Sequence, residues 1–112
     1  LSPREPLRAV WHLANAWAAI ASGDFNCALE ESQRCMSVNP DFATCYITVA
    51  ASAHLCGVHD LARAWVARLR ERTVFKSVTA IRERLSPATE AAHRQQMDEM
   101  AEWMLAAGLP LA

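Results

Sequence analysis

The chain has 112 residues, a hydrophobic fraction of 53 % and a net charge of −1 at pH 7, which suits one packed domain and is too short for two of ordinary size. So small a charge excludes a domain whose whole surface is adapted to nucleic acid or anionic lipid. With only 3 glycines and abundant alanine, the composition is that of an all-α protein.

Ser2-Pro3 and Pro6 mark a helix start, since proline in the first turn loses only an amide that has no intrahelical partner. From Leu7 a helix is predicted, with Val10, Leu13, Ala14, Trp17 and Ile20–Ala21 recurring on one face. Gly23 stops it and Asp24 caps a second helix from about Phe25 to Ser37, which ends at Asn39-Pro40. Asp41 is expected to cap a third helix through Tyr46, Val49, Ala53 and His54, ended by Gly57. A fourth follows from His59 to Glu71 with an apolar stripe of Leu61, Ala62, Trp65, Val66 and Leu69. Phe75, Val78, Ile81 and Leu85 predict a shorter fifth helix. Ser86, Pro87 and Glu90 then open a last one, which carries Met97, Met100, Ala101 and Met104 and stops at Gly108.

The two stretches GDFNCALEE, from Gly23, and GVHDLARAW, from Gly57, lie 34 residues apart. At that offset His12 falls with Tyr46, Ala16 with Ala50, Ala19 with Ala53, and Ala28 with Ala62. Small residues recur where two antiparallel helices joined by a short turn must approach closely. Each hairpin leaves one face uncovered, so neighbouring hairpins must stack.

A period of this length carrying Ala16, Gly23, Ala28 and Pro40, then Tyr46, Ala50, Gly57 and Ala62, resembles a tetratricopeptide repeat. His12, Ser32 and Val74 depart from that pattern. The resemblance implies an all-α, right-handed array of about three helical hairpins, over residues 5–39, 40–73 and 74–110, the last an atypical cap. A narrower likeness spans Leu7 to Pro110: NPDF, GVHDLARAWVARL, FKSVTAIRERL and the tail AAGLP are similar to the C-terminal repeat segments of bacterial class III adenylate cyclases and related winged-helix regulators. It implies that the chain is the C-terminal fragment of a longer protein. The upstream catalytic or DNA-binding domain is absent here, and none of its functional residues has a counterpart.

The resemblance also implies a concave groove lined by the first helix of each hairpin. Val10, Leu13, Trp17 and Ile20 from the first unit and Thr44, Ile47, Ala51 and His54 from the second would face it. Such a groove would be apolar and would take an amphipathic helix or apolar peptide, with Trp17 as anchor. The competing expectation is that the Met-rich last helix, or a second copy, already covers it. A carboxylate-clamp specificity is not expected, because only Asn15 is available among the inner basic or amide side chains. A small ligand held near Trp17 and His54 is the alternative use of the same groove.

Arg63, Arg70, Lys76 and Arg82 belong to a locally basic stretch, Leu61–Leu85, able to grip phosphates or an acidic surface. The plainer reading pairs it with acidic residues of the last helix such as Asp98, Glu99 and Glu102. No stacking aromatics are interleaved, so this segment is not expected to bind nucleic acid itself. Trp11, Trp65 and Trp103 are expected to pack between helices or at an oligomer interface. Cys45, His54, Cys56 and His59 lack the spacing of a structural zinc site, so no metal or other cofactor is expected. The four cysteines, Cys27, Cys35, Cys45 and Cys56, form no CxxC pair and are expected to be inert thiols in a reducing cytoplasm. No apolar run reaches the ~18 residues of a membrane span. Nothing resembles a catalytic constellation. The sequence therefore reads as a non-catalytic module for binding another protein or pairing with itself, regulating an upstream adenylate cyclase or DNA-binding domain.

Overall fold

The computed structural model describes residues 5–85 and 91–112. All regular structure among them is helical: α1 (Glu5–Ser22), α2 (Phe25–Val38), α3 (Ala43–Leu55), α4 (His59–Arg72), α5 (Val78–Leu85) and α6 (Ala91–Ala106). The expected signals at Ser2-Pro3 and at Ser86, Pro87 and Glu90 lie outside the described residues.

The two glycines of the repeated stretches close helices in the same way. Gly23 and Gly57 have φ of 83° and 80°. The amide after each reaches back to a carbonyl of the last helical turn, Asp24 to Ala19 and Val58 to Ala53, both at 2.9 Å. This bond satisfies a carbonyl that the helix end leaves without a partner. A Cβ at either glycine would meet nothing within 4 Å, so the requirement is backbone conformation and not space. Asp24 caps α2 as expected, accepting from the Cys27 amide at 3.2 Å. Asp41 does not cap α3: the cap position is Phe42, without a side-chain bond, and the Asp41 amide donates instead to Asn39 Oδ1 at 3.2 Å. The Asn39 side chain organises this turn, and Asp41 follows it.

Within each hairpin the small residues sit where the offset places them. Ala16 and Ala28 are fully buried in the first, and Ala50, Ala53 and Ala62 in the second. His12, in the slot that Tyr46 fills one repeat later, is also buried, and its Nδ1 lies 2.6 Å from Glu31 Oε2 of α2. Glu31 holds Arg34 with its other oxygen at 2.9 Å. Tyr46 packs edge-on against Trp65, with ring centroids 5.6 Å apart.

Three contacts join the hairpins along the α2–α3 seam. Cys35 and Cys45 form a disulfide with Cα atoms 6.1 Å apart, the Ser32 and Ser52 hydroxyls meet at 3.1 Å, and the Cys56 thiol donates to the Phe25 carbonyl at 3.0 Å. Position numbers fall along α2 as they rise along α3, so the helices run antiparallel. The disulfide corrects the expectation that every cysteine is a free thiol, and it removes the thiol-based argument for a reducing compartment. Both half-cystines are fully buried beside Ala9 of α1.

The third hairpin follows different rules. Ser77 accepts the Ala80 amide at 3.1 Å and so opens α5. The carbonyls of Pro110 and Leu111 accept the Val78 and Thr79 amides at 2.9 and 3.0 Å. The AAGLP tail thus folds back to serve the first turn of α5, with Leu109 buried beneath it. Met97, Met100 and Met104 of α6 share one apolar cluster with Tyr46, Ile47 and Ala51 of α3.

Replacing both Cys35 and Cys45 by Ala is expected to cost about 2–3 kcal/mol, the loop-entropy value for so short a ring. Urea unfolding followed by circular dichroism reads this loss; the same midpoint with and without reductant would contradict it. Gly57→Ala, at positive φ, is expected to cost about 1–2 kcal/mol in the same assay.

Candidate functional site

The groove expected from the first helices is largely filled. Ile47 is 1 % exposed and sits under the α6 methionines, so it is core and not lining. Ala51 shares that cluster. Leu13 turns to the cluster around the disulfide. Thr44 is half-buried, and its carbonyl accepts the Thr48 hydroxyl at 3.0 Å. Val10 is 51 % exposed and stands on the solvent side of α1, away from the groove to which its spacing with Leu13 had assigned it. Of the expected lining residues, Trp17 and Ile20 keep that place.

They face α6. A cleft of about 310 Å³ lies between Trp17, Ile20 and Ala21 of α1 and Gln95, Gln96, Glu99 and Trp103 of α6. Gln95 Nε2 donates to Glu99 Oε1 at 3.3 Å, which leaves one wall polar against two indoles and an isoleucine. That is the chemistry of an apolar group carrying a hydrogen-bond donor, at the small end of ligand pockets. The Gln95, Glu99 and Trp103 spacing was a readable helical stripe, but nothing in the sequence said that α6 would lie against α1. A second cleft of about 590 Å³, between Pro40, Asp41, Ala43 and Tyr46 on one side and Arg72, Thr73 and Val74 on the other, had no sequence signal.

His54 does not line either cleft. Its ring lies 5.3 Å from that of His59, and its Nδ1 is shut off from solvent with no hydrogen-bond partner. Among the described residues no group of three or more His, Cys, Asp and Glu is placed to hold a metal. The Cys56 thiol has its pKa raised, first by burial and then by the Asp24 carboxylate, which keeps it protonated as the donor to Phe25. No helix among the described residues is long and apolar enough to cross a membrane.

Part of the basic stretch is engaged in local contacts. Arg63 binds Asp60, Arg82 reaches Asp98 of α6 at 2.8 Å, and the Lys76 ammonium donates to the Arg70 carbonyl. Arg68 stacks over Trp65 at 4.6 Å from the ring centroid. Exposed pairs of this kind contribute about 0–1 kcal/mol each, and Arg68, Arg70, Arg72 and Lys76 keep exposed charge beside them.

What the spacing argument missed is the outer side of α1. Leu7, Val10 and Trp11 are 69, 51 and 61 % exposed, and Ala14 and Ala18 continue the same stripe in solvent. A surface helix ordinarily presents polar side chains there. The signal was present, since α1 reads as apolar nearly all round.

Ile47→Ala is expected to lower stability by about 2–4 kcal/mol, as for a buried aliphatic truncation, whereas Val10→Ala should stay within about 0.5 kcal/mol. Thermal unfolding of the two variants separates core from surface, and equal losses would contradict the assignment. No protein-family model, curated protein or solved structure matches the chain.

Proposed function

We propose that this chain is a non-catalytic, tetratricopeptide-like module that works by protein–protein contact. The observation that carries this reading is the solvent-facing stripe of α1, where three large apolar side chains stand more than half exposed, with Arg8 at its edge. Contiguous exposed apolar surface marks an interaction site in a soluble domain. Trp11 is the natural energetic centre, because a large indole desolvates much area at small entropic cost.

The likeness of NPDF, GVHDLARAWVARL and AAGLP to cyclase-associated repeat segments supports a regulatory role, exerted on an adjoining adenylate cyclase or DNA-binding domain. A cytoplasmic location rests on that likeness. An effector-sensing role has one specific observation in its favour, the Trp17–Trp103 cleft with its Gln95–Glu99 wall. The contact reading is preferred because the cleft, at about 310 Å³, is small beside the exposed stripe.

A photocrosslinking residue in place of Val10, in cells producing the full-length protein, is expected to capture a protein chain, and the same residue in place of Glu102 on α6 is not. Capture at Glu102 alone would overturn this reading. A saturable change in tryptophan fluorescence with nucleotides or small metabolites would favour the effector role instead; none is expected.

A further inference from the structure

The cleft of about 590 Å³ between the start of α3 and the end of α4 has walls that the chain itself fixes. Tyr46 lines it with a buried ring whose hydroxyl donates to the Pro40 carbonyl at 3.2 Å. On the other side the Thr73 hydroxyl donates to the Leu69 carbonyl at 2.7 Å and accepts the Phe75 amide at 3.0 Å, which holds the segment after α4 in one shape. Pro40, Ala43 and Val74 add apolar surface. A preformed cleft of this size takes a large side chain at little ordering cost.

Charge gathers on one wall. Arg63 and Arg82 are paired with Asp60 and Asp98, but Arg68, Arg72 and Lys76 are exposed and make no ion pair among the described residues. Arg72 lines the cleft. Arg68 stands one turn earlier, 4.6 Å over Trp65, which meets Tyr46 edge-on. Lys76 is held at the end of α4 by its bond to the Arg70 carbonyl. Across residues 40–46 and 68–76 four cations, Arg70 among them, stand against Asp41 and Glu71.

We propose that this surface is a second contact site, apart from the α1 stripe, for an extended acidic segment of a partner protein that seats one large apolar side chain in the cleft. The match is of charge and of spacing. Arg68 and Arg72 lie about 6 Å apart along one side of α4, and alternate side chains of an extended chain lie about 6.5–7 Å apart. Carboxylates at alternate positions therefore meet both guanidinium groups, which bind them with paired hydrogen bonds. The next alternate side chain reaches the cleft beside Arg72. Asp41, on the facing wall, repels a carboxylate placed there and so sets the direction, acidic end along α4 and apolar end in the cleft. A free phosphate would leave the apolar lining in water.

The test is a titration of the isotopically labelled chain with an end-capped peptide, Glu-Ser-Glu-Ser-Phe, at low salt, followed by amide correlation spectra, with the folding of each variant checked by circular dichroism. Saturable shifts are expected at Ala43, Tyr46 and Arg72 to Val74, with α1 unmoved. Affinity is expected to fall about tenfold with Arg72→Glu and to stay within about twofold with Arg63→Glu, whose cation is already paired. Replacing the peptide's Glu by Gln, or its Phe by Ser, should weaken binding about fivefold or more in each case. An unchanged affinity for either altered peptide would overturn the proposal, since the charge or the cleft would then be idle. So would equal losses from Arg72→Glu and Arg63→Glu, or no saturable shifts at this corner. Tighter binding of a single-stranded oligonucleotide of equal charge would make the surface one for nucleic acid and overturn the assignment to a protein segment. None of these outcomes touches the α1 contact, which is read by capture at Val10.

Discussion

The structure depends on how closely antiparallel helices can approach, and that is set by side-chain size at a few crossing points. Ala16 against α2, Ala50 and Ala53 against α4, and Ser32 with Ser52 between the hairpins each leave room for a neighbouring backbone. Any larger residue at these fully buried places would have to displace a helix, at a cost typical of overpacked cores. The glycines set the hairpin direction, and the small residues set its depth. Together they make the 34-residue unit that the sequence repeats.

Much of this was legible because the signals were local. Helix ends at Gly23 and Gly57, the Asp24 cap and the start of α4 all follow from residues within one turn of the feature they control. The Asp41 cap failed on register: α3 starts one residue later, so Phe42 holds the cap position, and Asp41 stands before it with its amide donated to Asn39 Oδ1. The disulfide failed because spacing along the chain carries no information about which helix faces which. Cys35 and Cys45 meet only once α2 and α3 have packed. Ile47 failed for the same reason, since its exposure depends on where α6 comes to lie.

The third hairpin shows a repeat adapted to end an array. Its α6 lies along α3 with methionines, whose flexible side chains fill an irregular surface, while the returning tail takes up the free amides of α5. The α3 face is thereby covered from within the chain. The outer side of α1 corresponds instead to Cys45, Thr48 and Ser52 of α3, which α2 covers, and among the described residues it has no such cover. This asymmetry, and not any chemical group, is what directs attention to contact with another protein chain.

Two titratable pairs join helices, His12 of α1 with Glu31 of α2 and Arg82 of α5 with Asp98 of α6. On the proposed reading, function rests on surface shape and on the apolar outer side of α1. The most direct measurement is a set of amide correlation spectra from the isotopically labelled chain, taken in a dilution series and again with lysate of the producing cells added. The account requires shifts along α1 in one or the other, strongest near Trp11, Ala14 and Ala18, with the outer side of α6 unmoved. Shifts confined to the α1–α6 cleft, or spectra unchanged under both conditions, would contradict it.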